Sequence, residues 1–119
     1  MNSCKQANNF NYKKSKKIIR VFFEKNNIKF ISQKTFSDLK DKFFLSYDFY
    51  IPEKNLLIEY NGEQHYKWTK RFHKTEHDWH RQLHHDWMKR KYAKKNGITL
   101  LVIPYWDYKN TINLIEELI

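Results

Sequence analysis

The sequence predicts an α/β domain, a mixed β-sheet flanked by helices in the order αβββαβ with a further helix at the C-terminus. Three observations lead there. Apolar residues fall at helical spacing in a first and a last segment, a long helix stopped by Asn96-Gly97 lies between them, and three β-prone runs sit together between the first helix and the second. An almost continuous aliphatic run, Ile98-Thr99-Leu100-Leu101-Val102-Ile103, then follows the second helix. At 119 residues the chain has room for one domain that buries a core without disulfides or structural metals.

Residues 1–14 are rich in Asn, Lys and Gln and hold too little apolar surface to repay ordering, so they are expected as a flexible basic arm ahead of a single domain over 15–119. Ser15 can cap a helix whose Ile18, Ile19, Phe22 and Phe23 share one face, and Asn26-Asn27 ends it. Residues 28–36 read as a strand with Ile28 and Phe30 on one side, and the polar stretch 37–42 as a turn. Residues 43–51 and 56–60 form a hairpin around Pro52-Glu53-Lys54-Asn55, because a proline has no N–H to give a central ladder.

Residues 66–75, dense in Lys, Arg and aromatics without a period, read as a surface loop. A long helix over 76–95 stops at Asn96-Gly97, with Lys94 and Lys95 placed in the last turn, where the helix dipole favours cations. The aliphatic run 98–103 has the pattern of a strand covered on both faces, and Pro104 closes it. A last helix starts near Lys109 and buries Ile112, Ile115 and Leu118.

Twenty-three Lys and Arg against 13 Asp and Glu leave a formal charge of +10, more than solubility needs, which points to a polyanionic partner. Aromatic residues make up 18% of the chain, and basic plus aromatic composition suits nucleic acid, here DNA. Lys67, Lys70, Arg71 and Lys74, interleaved with Tyr66, Trp68 and Phe72, form one candidate DNA-facing strip, and Lys13, Lys14, Lys16 and Lys17 a second. The lone Cys4 excludes an internal disulfide or thiolate zinc site and fits a reducing interior. With no run of the roughly 18 apolar residues a membrane span needs, the expectation is a cytoplasmic protein, in the host cell if phage-encoded. His73, His77, His80 and His84 recur at helical steps and read as a histidine-rich face near DNA in preference to a zinc site.

The chemistry concentrates in the hairpin. Asp48 stands in one arm and Glu59 in the other, so two carboxylates from neighbouring rigid backbone can converge on one Mg2+, with Mn2+ able to substitute. Acids in apolar strands are costly unless they bind something, although acids on half-exposed strands are commonly just solvated. Glu59-Tyr60-Asn61-Gly62-Glu63-Gln64-His65 then adds an amide and an imidazole at a strand end, where reactive groups are presented.

Tyr47-Asp48-Phe49-Tyr50-Ile51-Pro52 and Leu57-Ile58-Glu59-Tyr60-Asn61-Gly62-Glu63-Gln64-His65 together resemble the core of small PD-(D/E)xK nucleases. The nucleases they resemble are those related to very-short-patch repair endonucleases and to phage homing endonucleases of the EDxHD group. Asp86, Lys89 and Tyr92 in the long helix, and Asn96-Gly97-Ile98 through Ile103-Pro104-Tyr105-Trp106, extend the resemblance over roughly residues 16–118. It implies a restriction-endonuclease-like core, a Mg2+-dependent endonuclease activity, and Asp48 and Glu59 as the motif acids, Asp48 as metal ligand. The family's lysine would fall at Asn61, and the resemblance leaves Gln64 and His65 as its substitutes. In the EDxHD pattern, Glu24, Asp48, His65 and Asp86 form the site, although Glu24 also reads as a solvated helix residue and Asp86 as a partner for Lys89 or Arg90. The alternative is a catalytically inactive nucleic-acid-binding module with the same fold. A domain this small reads a long target only as a homodimer or beside a separate DNA-recognition partner.

Overall fold

Among the described residues, a computed structural model gives the backbone of residues 2–119 and the side chains from Tyr12 onward, so Cys4 and the other side chains of the expected arm up to Asn11 lie outside the description. The elements run α1 (Asn2–Lys25), β1 (Ile31–Lys40), β2 (Phe44–Ile51), β3 (Leu56–Asn61), α2 (Glu76–Lys95), β4 (Thr99–Pro104) and α3 (Thr111–Glu116), with short 3-10 turns after β2, β3 and β4. The sheet order is β1-β2-β3-β4, antiparallel across the first two pairs and parallel across the last. This is an α/β fold with a mixed four-stranded sheet flanked by helices, in the element order read from the sequence.

Two apolar layers hold it. On one face α1 and α3 lay Ile19, Phe23 and Ile115 against Phe49, Ile51, Leu56, Ile58, Tyr60 and Ile103. On the other, Ala93 of α2, with Met88 and Tyr92 beside it, covers Leu39, Tyr47 and Leu57. Leu56, Ile58 and Tyr60 alternate with Leu57 between the two layers, as a strand's period of two requires.

Several boundaries differ from the expectation, each for a local reason. The helix runs back through the stretch assigned to the arm, and Tyr12, one turn before Lys16, packs against the α1-side core instead of lying outside the domain. β1 continues through the polar stretch 37–40, because a register shift between Thr35 and Lys40 turns Leu39 inward while Asp38 accepts a hydrogen bond from the Tyr92 hydroxyl at 2.6 Å. β4 is not covered on both faces: it is the sheet edge, and Thr99 is exposed while Leu100 to Val102 are half-buried.

α2 keeps its expected bounds because both ends are signalled. Thr75 and Asp78 exchange the reciprocal hydrogen bonds of a capping box at 3.1 and 3.2 Å. Gly97 supplies the left-handed conformation (φ 67°) just past the end, which a side chain would resist. Asn55, also left-handed (φ 49°), closes the β2–β3 turn and donates to the Gly97 carbonyl at 3.1 Å, tying the two turns together. No helix among the described residues is long and apolar enough to cross a membrane.

Candidate active site

β2 and β3 pair only from Phe49–Ile51 against Leu56–Ile58, and one residue further the ladder stops at Asp48 and Glu59. The side chains take over where the backbones part. The Asp48 amide donates to Glu59 Oε1 at 3.0 Å, and the Tyr60 amide donates to Asp48 Oδ2 at 2.8 Å. Each acid therefore satisfies a backbone donor that the missing ladder would otherwise leave buried and unpaired. The alternation of β2 breaks at the same point, since Tyr47 packs in the α2-side layer and Phe49, two residues on, in the α1-side layer. On the neighbouring strand Gln33, between the paired residues Ser32 and Lys34, is held left-handed at φ 51°. Such a conformation in a non-glycine residue costs about 1–3 kcal/mol and persists where the surroundings enforce it, often at functional sites.

Asp48 and Glu59 are 6% and 7% exposed, and each meets a lysine. Lys16 of α1 brings its Nζ to 3.7 Å from Asp48 Oδ1, beside the Tyr12 hydroxyl, which donates to the same oxygen at 3.4 Å. Burial, and then the charge of Asp48, raises the pKa of that phenol. Lys89 of α2 donates from Nζ to Glu59 Oε2 and lies over the Tyr47 ring at 5.1 Å, while the Tyr47 hydroxyl donates to the Lys89 carbonyl at 2.7 Å. Burial pushes the Glu59 carboxyl up to about 7, with the nearby Asp48 charge adding to the rise and Lys89 pulling it back.

His65 completes this wall from the 3-10 turn Glu63–His65. Its Nδ1 meets Asp86 Oδ2 at 2.9 Å, and Gln82 donates to Asp86 Oδ1 at 3.3 Å. A carboxylate only accepts, so Nδ1 carries the proton and Nε2 is the nitrogen left to take one. Gly62 lets Gln64 fold back over the turn, where an added Cβ would come within 2.6 Å of the Gln64 amide oxygen. The resulting cleft, about 210 Å³, is lined by Tyr12, Gln33, Asp48, Glu59, Gln64, His65 and Lys89.

The structure thus gathers Asp48, Glu59, Gln64 and His65 around one cleft, with Asp86 behind His65. It does not bring Glu24 there. Glu24 is exposed, eight residues or ~12 Å along α1 from Lys16 at 1.5 Å per residue. Of the basic strips, Lys17, Lys70 and Lys74 are exposed, Lys67 pairs with Glu63 at 3.1 Å and Arg71 lies over Phe72 at 4.5 Å. Lys16 faces Asp48 and not open solvent. His73 lies outside α2, buried edge-on to Trp79, so it does not extend a histidine face.

Sequence reasoning missed Lys89, Tyr12 and Gln33 as members of the site. The signal for Lys89 was its place three residues after Asp86, which puts both on one helix face. Nothing local marks Gln33.

Asp48 and Glu59 are the two buried carboxylates of the cleft that could hold a divalent cation. Among the described residues no group of three or more His, Cys, Asp or Glu converges as a ready-made metal cage. A larger groove of about 740 Å³ runs along α1 beside Lys17, Ile18, Val21, Phe22 and Ile112, and its lining of lysines and apolar residues contains no acid.

Comparison with known proteins finds two relatives in invertebrate iridescent viruses. The chain is 36% identical over 83 residues to uncharacterized protein 307L of invertebrate iridescent virus 6, covering 70% of this chain and 42% of that protein. It is 36% identical over 61 residues to uncharacterized protein 033L of invertebrate iridescent virus 3, covering 51% of this chain and 31% of that protein. The chain spans less than half the length of these curated relatives. No family model and no solved structure matches it.

Proposed function

We propose that this chain is a metal-dependent DNA endonuclease that hydrolyses phosphodiester bonds, built on a restriction-endonuclease-like core of the PD-(D/E)xK type. One observation carries the reading: two buried acids sit where β2 and β3 part, and α2 delivers Lys89 to the second acid. The lysine that the motif would place at Asn61 is thereby replaced from a different element. The αβββαβ element order and the charge of +10 are consistent with the same reading.

Asp48 and Glu59 would hold Mg2+, which when bound supplies positive charge for the phosphate and makes water a stronger nucleophile. Lys89 holds a proton and a positive charge at Glu59, where it orients the attacking water or meets charge developing on the phosphate. His65, fixed by Asp86 through Nδ1, offers Nε2 as proton acceptor, and Gln64 positions water beside it. Lys16, 3.7 Å from Asp48, offsets the charge of that acid. Exposed Lys70 and Lys74 stand ready for backbone phosphates.

The test is cleavage of supercoiled plasmid by the purified protein in Mg2+, Mn2+ or EDTA, beside Asp48→Asn. Metal-dependent nicking or linearisation that the variant lacks supports the nuclease. DNA binding with no cleavage in either metal favours the inactive binding module, for which the Asn61 substitution is the supporting observation.

A further inference from the structure

Each acid of the cleft gives one oxygen to the backbone and keeps the other for a cation. Asp48 Oδ2 accepts from the Tyr60 amide at 2.8 Å, and Glu59 Oε1 from the Asp48 amide at 3.0 Å. The remaining oxygens, Asp48 Oδ1 and Glu59 Oε2, face the ammonium groups of Lys16 and Lys89. Two carboxylates and two lysines sum to zero, so the cluster is neutral without metal, inside a protein of formal charge +10. A divalent cation joining it unchanged would meet two like charges that partial burial leaves poorly screened.

The two lysines are not held alike. Lys89 donates from Nζ to Glu59 Oε2 and lies 5.1 Å from the centre of the Tyr47 ring, and its carbonyl accepts from the Tyr47 hydroxyl at 2.7 Å. Lys16 Nζ stands 3.7 Å from Asp48 Oδ1, too far for a hydrogen bond. It donates instead to the Tyr12 hydroxyl at 3.3 Å and lies 4.8 Å from the centre of that ring. Its side chain is 22% exposed, against 13% for Lys89. Lys16 is therefore the cation that can leave its acid without breaking a hydrogen bond to it, and it has a path to solvent.

We infer that Lys16 is the exchangeable cation of this site, a positioning residue that sits on Asp48 in the metal-free protein and swings away when a divalent cation takes that oxygen. This rests on the reading of Asp48 and Glu59 as metal ligands and adds what governs their loading. Lys89 stays on Glu59 throughout. The sign of the effect separates this role from a structural one. Loss of a residue that only supports metal ligands weakens metal binding, whereas loss of a counter-cation that must be displaced strengthens it. Without that cation, Asp48 is a buried charge lacking its partner, so the metal-free variant is less stable and gains more from metal.

The experiment titrates Mn2+ into the purified protein and follows the free ion by electron paramagnetic resonance, with thermal unfolding in EDTA and in Mn2+ beside it. Wild type is compared with Lys16→Gln, Lys17→Gln and Asp48→Asn. Glutamine keeps a polar group beside Asp48 and Tyr12 and removes the charge. Lys16→Gln is expected to lower the Mn2+ Kd by at least about fivefold and to gain more in unfolding midpoint from Mn2+ than wild type does. Lys17→Gln makes the same change of net charge at the next, exposed residue and should stay within about twofold of wild type. A Kd for Lys16→Gln at or above that of wild type, or equal tightening in Lys17→Gln, overturns the inference. Wild-type protein that binds no Mn2+, or binds it no better than Asp48→Asn, overturns the metal reading itself, and this inference with it.

Discussion

β3 and β4 lie side by side, parallel, from Leu56 against Thr99 to Asn61 against Pro104, yet their burial runs opposite to their sequences. Leu-Leu-Ile-Glu-Tyr-Asn of β3 contains an acid and an amide and is buried at every residue. Thr-Leu-Leu-Val-Ile-Pro of β4 carries no charge and is fully buried only at Ile103. Position in the sheet decides this: β3 has a strand on each side and a helix over each face, while β4 is an edge. Polar groups placed in the central strand must be satisfied from within the protein or by a ligand. Glu59 is paired with Lys89 and the Asp48 amide, whereas Asn61 keeps a buried Oδ1 without a partner.

The largest way to break the comparison is chemical. Asp48→Asn keeps an acceptor for the Tyr60 amide and is expected to reduce plasmid nicking by more than ~100-fold, beyond the 10–100-fold typical of residues that only support metal ligands. DNA affinity, measured by anisotropy, should change little; full nicking by this variant would remove Asp48 from the site.

Next comes stability. Lys89→Met leaves the Glu59 charge buried without its partner, which is expected to cost about 3–5 kcal/mol at pH 8 in urea unfolding. Replacing both partners with apolar residues of similar size should recover most of that loss. A single variant as stable as wild type would show that Glu59 does not depend on α2.

Packing sharpens the contrast between the two strands. Ile58→Ala in β3 is expected to cost about 2–5 kcal/mol, and Leu101→Ala, its pairing partner on the half-buried edge, to fall at or below the bottom of that range. Equal losses would mean that the edge is covered.

The last effect is the pH dependence of the metal-free protein. Glu59 is raised from an ordinary 4.5 to about 7 in the folded state. A group raised on folding contributes stability that is present below its unfolded pKa and is lost as pH climbs through the folded one. The urea midpoint should therefore fall between pH 4.5 and pH 7 more steeply in wild type than in Glu59→Gln. Parallel profiles would contradict the raised value.

Legibility in the sequence follows locality. The bounds of α2 were readable because a capping pair and Asn96-Gly97 sit in the chain beside the ends they fix. The hairpin and the acids at Asp48 and Glu59 were readable from a proline turn and from charge inside apolar runs. β4 was misread because an aliphatic run carries no mark of which strand stands at an edge, and α1 because Tyr12 finds its apolar partners only across the fold. Lys89 and Gln33 were hidden for the same reason, since one meets Glu59 from 30 residues away and the other is strained by its neighbours. Glu24 was legible only through resemblance, and the exposed outer face of α1 holds it away from the cleft.

The claim that α2 supplies the lysine absent from β3 is tested most directly by the single-turnover nicking rate of Lys89→Met in saturating Mg2+, with folding verified by circular dichroism. A loss of about 3–5 kcal/mol leaves a domain with the usual 5–15 kcal/mol of stability folded except at the bottom of that range, which is why folding is verified first. The predicted result is a fall of roughly 10²–10⁴-fold, the range of a lost proton-handling or charge-stabilising group, with DNA affinity unchanged. Nicking at the wild-type rate would contradict it.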